Sequence, residues 1–222
     1  GESTVDLGRR TFTPVKPPAA TPGPVGTPVS DHTTAEYAAM VEQARERMRV
    51  GDIFEVVLSQ TYRAKFEHAP SVLFTRLKQV NPSPFEFLIQ FGDEQLVGTS
   101  PEMFVRVEGE RVESCPISGT ARRTGNPMND AENLKALFNS EKDEDELTMC
   151  TDVDRNDKSR ICRPGTVRLL GRRQIETYAG LFHTVDHVEG RLREGLTGLD
   201  AFLSHMWAVT LTGAPKKKAV EI

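Results

Sequence analysis

The sequence predicts an α+β fold of antiparallel β-sheets packed with helices. Three observations carry this. Short apolar runs joined by tight polar turns fill residues 85–116, the pattern of β-hairpins. Apolar residues recur at helical spacing after Thr33 and again through the acidic stretch from Glu141 to Arg160. Hairpins and helices come in separate runs rather than in strict alternation, which favours α+β over a parallel α/β sheet.

Composition bounds what the chain does. Its 222 residues are 37% hydrophobic and 27% charged, an ordinary soluble balance. The net charge of -4 argues against a general nucleic-acid binder, and no apolar run is long enough to span a membrane. No signal peptide opens the chain. Cys115, Cys150 and Cys162 form no CxxC pair, which suits a reducing, cytoplasmic setting rather than a disulfide framework. Gly1 stands where a methionine is usual, and Ile222 falls inside the helical start KKKAVEI. The reading is therefore of a fragment, incomplete at both ends.

Taken in order, residues 12–31 hold six prolines and read as an extended linker, so residues 1–32 are expected to form a Pro-rich linker and 33–222 one folded domain. Thr33 and Glu36 match a capping box, Tyr37, Met40, Val41, Ala44 and Met48 form an apolar stripe, and Gly51 suits the helix stop. A strand is expected over 53–62, with Ile53, Glu55, Val57 and Ser59 on one face and Phe54, Val56, Leu58 and Tyr62 on the other. A short helix over 72–80 ends at the turn Asn81-Pro82-Ser83-Pro84. Strands over 85–91, 95–99, 103–107 and 111–116 follow. Helices are expected over 130–139 and along the acidic stretch, late strands over 166–176 and 181–188, and a helix over 199–206.

The acidic helix is the most informative element. At 100° per residue Asp143, Glu146, Leu147, Cys150, Val153 and Asp157 share one side, while Glu144, Asp145, Thr148, Asp152 and Arg155 share the other. Two carboxylates, Asp143 and Glu146, thus fall on the half expected to be buried, where charge is costly unless a cation compensates it. Asp152, Asp154 and Asn156 superficially match a calcium loop, but Asp157 replaces its glycine and Arg163 its closing glutamate. A magnesium ion held by one or two carboxylates and an anionic substrate is compatible with the pattern; a solvated acidic face is the bland alternative.

Other candidates are weaker alone. Glu102 follows a strand after Pro101, which would hold its side chain in place, though a surface-turn glutamate is the plainer reading. Glu55 sits among valines, where an exposed edge is the alternative. Ser118-Gly119-Thr120, with Arg122 and Arg123 behind, forms an anion cradle or an ordinary turn. Thr212-Gly213-Ala214-Pro215-Lys216 resembles a second anion loop and is no Walker A motif. His183 and His187 share a strand face with Leu181 and Val185, and a hydrogen-bonded core histidine is the plainer reading.

Together these stretches resemble the chorismate-utilising enzymes, of the anthranilate synthase component I type. The segments are GDIFEVVLSQ, NPSPFEF, VGTSPEMFVRV, PISGTARR, DELTMCTDVDRNDKSRIC, YAGLFHTVDHVEGRL and LTGAPK, in the family's order over about three quarters of the chain. TMCTDVDRNDKSR is similar to the fused synthases that carry their glutaminase on one polypeptide. The resemblance implies the family fold, chorismate as substrate, Mg²⁺ as cofactor and a glutamine amidotransferase as the source of ammonia. It implies Glu146 as a magnesium ligand with Asp143 as partner, a position where the family commonly has the longer glutamate. Glu102 matches the general acid, His183 the histidine beside the reacting ring, Gly119 and Thr120 the substrate carboxylate contacts, and Gly213 the loop closing the site. Glu55 stands where water-using members carry lysine, and Ser118 where aminodeoxychorismate synthases often do; both favour ammonia addition next to the ring carboxylate. Asn81, Pro84 and Phe85 match a remnant of the tryptophan inhibitor site.

The implied reaction is the first step of tryptophan biosynthesis. A 2-amino-2-deoxyisochorismate synthase of phenazine biosynthesis is the alternative within the family, and a non-catalytic binding module the alternative outside it. The resemblance also implies missing segments before the linker and after GAPK, so these residues alone are expected to be inactive and poorly stable, with uncovered sheet edges. A homo-oligomer is an open option.

Overall fold

The computed structural model describes residues 2–6, 11–15 and 25–222. From the N-terminus they form β1 (Glu2–Asp6), β2 (Thr11–Val15), β3 (Val25–Ser30), α1 (Thr34–Arg49), β4 (Glu55–Val56), β5 (Tyr62–Lys65), α2 (Pro70–Val80), β6 (Phe85–Phe91) and β7 (Glu94–Ser100). Then come β8 (Arg106–Glu108), β9 (Arg111–Ser114), β10 (Ile117–Arg122), α3 (Pro127–Phe138), α4 (Glu141–Ser159), β11 (Arg168–Thr177) and β12 (Leu181–Arg191). The chain closes with α5 (Gly198–His205), α6 (Val209–Thr212), β13 (Gly213–Ala214) and α7 (Lys216–Glu221). The class is α+β, and all pairings among the described residues are antiparallel.

Contacts divide the chain into two compact units where the sequence reading has a single domain from residue 33. One unit comprises Gly1–Asp31 and Thr61–Pro101, the other His32–Gln60 and Glu102–Ile222. In the first, β6 and β7 form the expected hairpin, in register from Phe85↔Ser100 to Phe91↔Glu94 around a turn whose Gly92 has φ +57°. The stretch expected as linker contributes strand residues instead: β1 pairs β2, and β3 pairs β5. Residues 16–24 of it lie outside the described residues. Asn81 donates its amide to Thr99 Oγ1 at 3.2 Å, which ties the turn after α2 to β7.

The second unit is built on β12, which carries β11 along one edge and β10 then β9 along the other; β8 extends the sheet beyond β9. A strand paired on both edges and covered on both faces loses the simple in–out alternation. Residues 182–186 of β12 are accordingly all buried. Helix α4 lies against this sheet. Leu147 and Cys150 are buried on its inner side as the period predicts, and Asp145, Thr148, Asp152 and Arg155 are exposed. Helix α1 begins at the expected capping box, with Thr33 Oγ1 and the Glu36 carboxylate bonded reciprocally, and stops before Gly51 at φ +81°.

The strand expected over 53–62 is cut to two residues. β4 finds only β13 to pair with, Gly213↔Val56 and Ala214↔Glu55, and flanking bonds from the Phe54 and Val57 amides complete the ladder. Beyond Val57 no ladder continues, so the chain leaves the strand conformation. The face assignment survives over this short span: Ile53 is buried and Phe54 is 75% exposed. The strand expected over 103–107 likewise shortens to β8.

Charge enters the core where the sequence reading did not place it. Lys158 is 0% exposed. Its ammonium donates to both Asp154 oxygens at 3.1 and 2.9 Å, to Ser114 Oγ, and to His205 Nε2 at 3.3 Å. Ser114 donates to Asp154 Oδ2 at 2.5 Å, and His205 Nδ1–H donates to the Ala201 carbonyl at 2.7 Å. Every polar group of this knot has a partner, the condition under which buried charge is tolerated. It joins α4 to β9 and α5. Lys158→Met leaves Asp154 buried without its cation and should cost about 3–5 kcal/mol in chemical denaturation; an unchanged midpoint would contradict a structural role for the pair.

Candidate active site

Glu102 begins the second unit, at the exit of the run that the sequence reading singled out. Its carboxylate accepts from Thr210 Oγ1 at 3.2 Å to each oxygen, and from the Ile117 amide. Burial removes the solvent that would stabilise its charge, and this lifts its pKa from 4.5 to about 7; the two hydrogen bonds oppose the lift, and nearby Asp154 adds to it. With Asp154, Asp157, His205, Thr210 and Lys216 it lines a cavity of about 30 Å³, room for a water molecule or two.

On the strand following Ile117, the Ser118-Gly119-Thr120 segment meets His183. Thr120 pairs with His183 across the β10–β12 ladder, with a register shift at Gly119. His183 Nδ1 lies 3.0 Å from Thr120 Oγ1 and 3.3 Å from the Gly119 carbonyl. A carbonyl only accepts, so Nδ1 carries the proton and Nε2 is the basic nitrogen. Gly119 has φ +80°, and a Cβ there would meet Leu137 Cδ1 and Thr184 Oγ1 at 2.9 Å and the Asp143 Cβ at 3.1 Å. Asp143 on α4 therefore sits directly against this bulge. Ser118 is buried; its carbonyl accepts from Thr184 Oγ1, while its own Oγ has no partner among the described residues.

The side of His183 facing β11 is held by a second chain of contacts. The Tyr178 ring meets His183 edge-on at 5.0 Å between centroids, and the Tyr178 hydroxyl donates to Glu176 Oε2 at 2.6 Å. Glu176 Oε1 accepts from His187 Nε2 at 3.3 Å, which leaves His187 Nδ1 to accept the Cys115 S–H at 3.3 Å. Burial, with the Glu176 and Glu113 charges, pushes the Cys115 thiol up to about 11 and keeps that proton in place. His187 is thus a bridging residue, the bland reading.

Glu55 and Glu146 line a larger cavity of about 750 Å³ with Lys142, Thr151 and Met149. Glu146 is half-exposed and paired with Lys142 at 3.1 Å, one helical turn back. Burial raises the Glu55 pKa, the Glu146 charge raises it further, and Lys142 opposes both. Glu55 Oε2 is buried with no hydrogen-bond partner among the described residues. Gly213 comes so close to this segment that a Cβ would strike the Glu55 carbonyl and Val56 Cα, and its φ is +121°. The close approach ties the Gly213 turn to Glu55.

The expected site residues therefore fall into neighbouring groups of one unit: Gly119, Thr120, His183 and Asp143; Glu55, Gly213 and Glu146; and Glu102, one residue pair away from Ser118 through Ile117. Asn81, Pro84 and Phe85 lie in the other unit, and β6 begins at Phe85. The expectation that Asp143 and Glu146 are buried is corrected: both are half-buried, and Lys142 balances Glu146. The deeply buried acids of α4 are Asp154 and Asp157, which the sequence reading used only in rejecting a calcium loop and in drawing the inner face. Among the described residues no group of three or more His, Cys, Asp or Glu side chains could hold a metal ion. The unpartnered Glu55 oxygen lies within electrostatic reach of Glu146, so Glu146 and Asp143 supply at most two carboxylates, and any cation they held would take its remaining ligands from substrate and water. No helix among the described residues is long and apolar enough to cross a membrane.

The chain is similar to known proteins over most of its length. A family model described as chorismate binding enzyme matches residues 6–222. An anthranilate synthase of Azospirillum brasilense is 56% identical over 192 residues, 86% of this chain and 26% of that protein. Anthranilate synthase component 1 of Acetivibrio thermocellus is 39% identical over 193 residues, 87% of this chain and 39% of that one. The chain thus spans between about a quarter and two fifths of these relatives. The crystal structure of anthranilate synthase component I from Streptococcus pneumoniae superposes with a TM-score of 0.80 at 32% identity, covering 89% of this chain and 43% of that one. The menaquinone-specific isochorismate synthase of Escherichia coli superposes at 0.82 with 14% identity over 95% of this chain and 48% of its own, a likeness of fold.

The raised pKa of Glu102 has a thermodynamic consequence. Between pH 4.5 and 7 the unfolded chain has lost this proton and the folded chain keeps it, so stability falls as pH rises through that window. Glu102→Gln removes the penalty. The variant should match the wild type below pH 4.5 and exceed it above pH 7, by up to about 3.5 kcal/mol at about 1.4 kcal/mol per unit. Denaturation at several pH values reads this, and parallel profiles would show that Glu102 is not desolvated.

Proposed function

The chain belongs to the chorismate-binding enzyme family, and we propose that it is the chorismate-binding part of an anthranilate synthase component I, which forms anthranilate and pyruvate from chorismate and ammonia. The observation that carries this reading is Glu102. A carboxyl that titrates near 7 still holds its proton in a large fraction of molecules at neutral pH, as a general acid for a leaving hydroxyl must. In the proposed reaction ammonia bonds to the ring carbon beside the carboxylate. Glu102 protonates the ring hydroxyl, which leaves as water, and the added nitrogen releases one proton. Elimination of pyruvate then restores an aromatic ring.

The other residues take supporting parts. The Gly119 and Thr120 segment receives the substrate carboxylate, and the basic Nε2 of His183 faces the ring. Tyr178, anchored by Glu176, fixes the imidazole plane. Magnesium, bound through Glu146 with Asp143 at hand, would offset the charge of the substrate carboxylates. Glu55 supports ammonia as nucleophile rather than water. A carboxyl cannot serve as the neutral amine base that water activation uses, and Lys142, the neighbouring cation, is engaged by Glu146. Gly213 keeps its turn close against Glu55.

A glutamine amidotransferase is the proposed ammonia source. Nearly equal aligned lengths make up 26% of the Azospirillum relative but 39% of the Acetivibrio one, so the former is the longer polypeptide. That difference, on the more similar relative, supports an amidotransferase fused to the same chain. With no membrane-spanning helix among the described residues and three free cysteines, a cytoplasmic location is the proposed one.

In the full-length polypeptide with chorismate, ammonium and Mg²⁺, Glu102→Gln should lower turnover by about 10²–10⁴-fold and leave chorismate binding within a few-fold of wild type. Steady-state turnover and calorimetric binding measure the two. Undiminished turnover would remove Glu102 from the acid role.

A further inference from the structure

The cavity beside Glu102 contains more charge than its acid role needs. Asp154 and Asp157 line it from α4, His205 from α5 and Lys216 from α7; Ser114 of β9 and Thr210 of α6 add no charge. Lys158 stands immediately behind Asp154 and His205. Cys150 and Tyr178 lie within electrostatic reach of Glu102, and burial keeps both protonated. Lys216 thus shares the cavity with Glu102 and Lys158 lies one side chain further back, and among the described residues neither donates to Glu102. All three N–H directions of Lys158 are spent on Asp154, Ser114 and His205. Lys216 is spent on the Asp157 carboxylate and, at 2.8 Å, on the His205 carbonyl. His205 is the neutral tautomer, with Nδ1–H on the Ala201 carbonyl and Nε2 accepting from Lys158, so it offers Glu102 no proton.

We propose that Asp157 and Asp154 are positioning residues that clamp the Lys216 and Lys158 ammonium groups away from Glu102, leaving the acid carboxyl without a cationic partner. The need is chemical. An ammonium within about 4–6 Å of a carboxyl favours its ionised form by 1–3 pH units, and a general acid so paired has lost the proton it must deliver. Each ammonium is thus matched by an aspartate, and Asp157 also has the exposed Arg160 guanidinium 4.0 Å from its other oxygen. Lys216 carries the sharper consequence, because it lines the cavity itself and extends from the α7 start on a flexible stem. The other carboxyls that line the same cavity are Asp154 and Glu102, and Asp154 is already engaged by Lys158 and Ser114.

This inference rests on the acid role proposed for Glu102, and its test separates the two. Infrared titration of the full-length protein follows the protonated carboxyl band that Glu102→Gln removes. The band should titrate near 7 in the wild type, at least one pH unit lower in Asp157→Asn, and again near 7 in Asp157→Asn/Lys216→Met. Recovery on deleting a second charged group is a result that a merely structural role for Asp157 does not give. Asp154→Asn with and without Lys158→Met repeats the comparison on the other pair, should the first variant fail to fold. A folded Asp157→Asn with an unmoved band, or a double variant that fails to recover, would overturn the clamp. Absence of chorismate turnover by the wild type, with the band shifts intact, would instead strike the proposed reaction and leave the clamp standing.

Discussion

The buried ammonium of Lys158 is the constraint on which the second unit turns. It lies on α4 one turn from Asp154 and takes its other partners from β9 and α5, elements forty-four residues before it and forty-seven after it. A buried ion pair is weak evidence for net stability, because desolvation consumes most of the attraction. Its effect here is positional. Three donors with three fixed acceptors permit one placement of α4 against the sheet, and α4 also carries Asp143 and Glu146. The rotation that aims Asp143 at the Gly119 bulge follows from the rotation that seats Lys158. Thr151 adds a second fixed point at 2.7 Å from Asp186, whose other oxygen accepts from the Arg173 amide on β11.

Local signals were the legible ones. The Thr33–Glu36 box, the Gly92 and Gly109 turns and the 3.6-residue period of α4 are readable because their partners lie within a few residues. The inner face of α4 was drawn correctly at Leu147, Cys150 and Asp157. Lys158 was missed for a physical reason: a lysine on an acidic helix looks solvated until Ser114 and His205 arrive from distant segments. The strand over 53–62 failed for a related reason. Val56, Val57 and Leu58 have the composition of a strand, but a strand needs a ladder, and the partner here is only Gly213 and Ala214. Over 12–31 only Pro14 and Pro28 fall in described strands, where an extended proline is also tolerated.

The candidate site shows the same division. Glu102, Glu55, Gly119, Thr120, His183 and Gly213 were named from the sequence, but nothing in it separates a desolvated glutamate from a surface one. Depth does that. Glu102 has two hydrogen-bond donors and no cation, so burial dominates and the proton stays. Asp154 has Lys158 and Asp157 has Lys216, and both pairs are held by further bonds. Three carboxylates around one small cavity thus differ in the partners each can reach. Glu55 occupies an intermediate position, with one oxygen lacking a partner among the described residues and Lys142, the cation that acts on it, engaged by Glu146.

The central claim is that this arrangement serves ammonia addition to chorismate followed by loss of pyruvate. Its most direct test is the product formed by the full-length polypeptide from chorismate, ammonium and Mg²⁺, identified by mass spectrometry with pyruvate measured in parallel. The account predicts anthranilate and pyruvate in equal amounts. Isochorismate, the product of water addition, would contradict it, and aminodeoxyisochorismate without pyruvate would contradict the second half of the reaction.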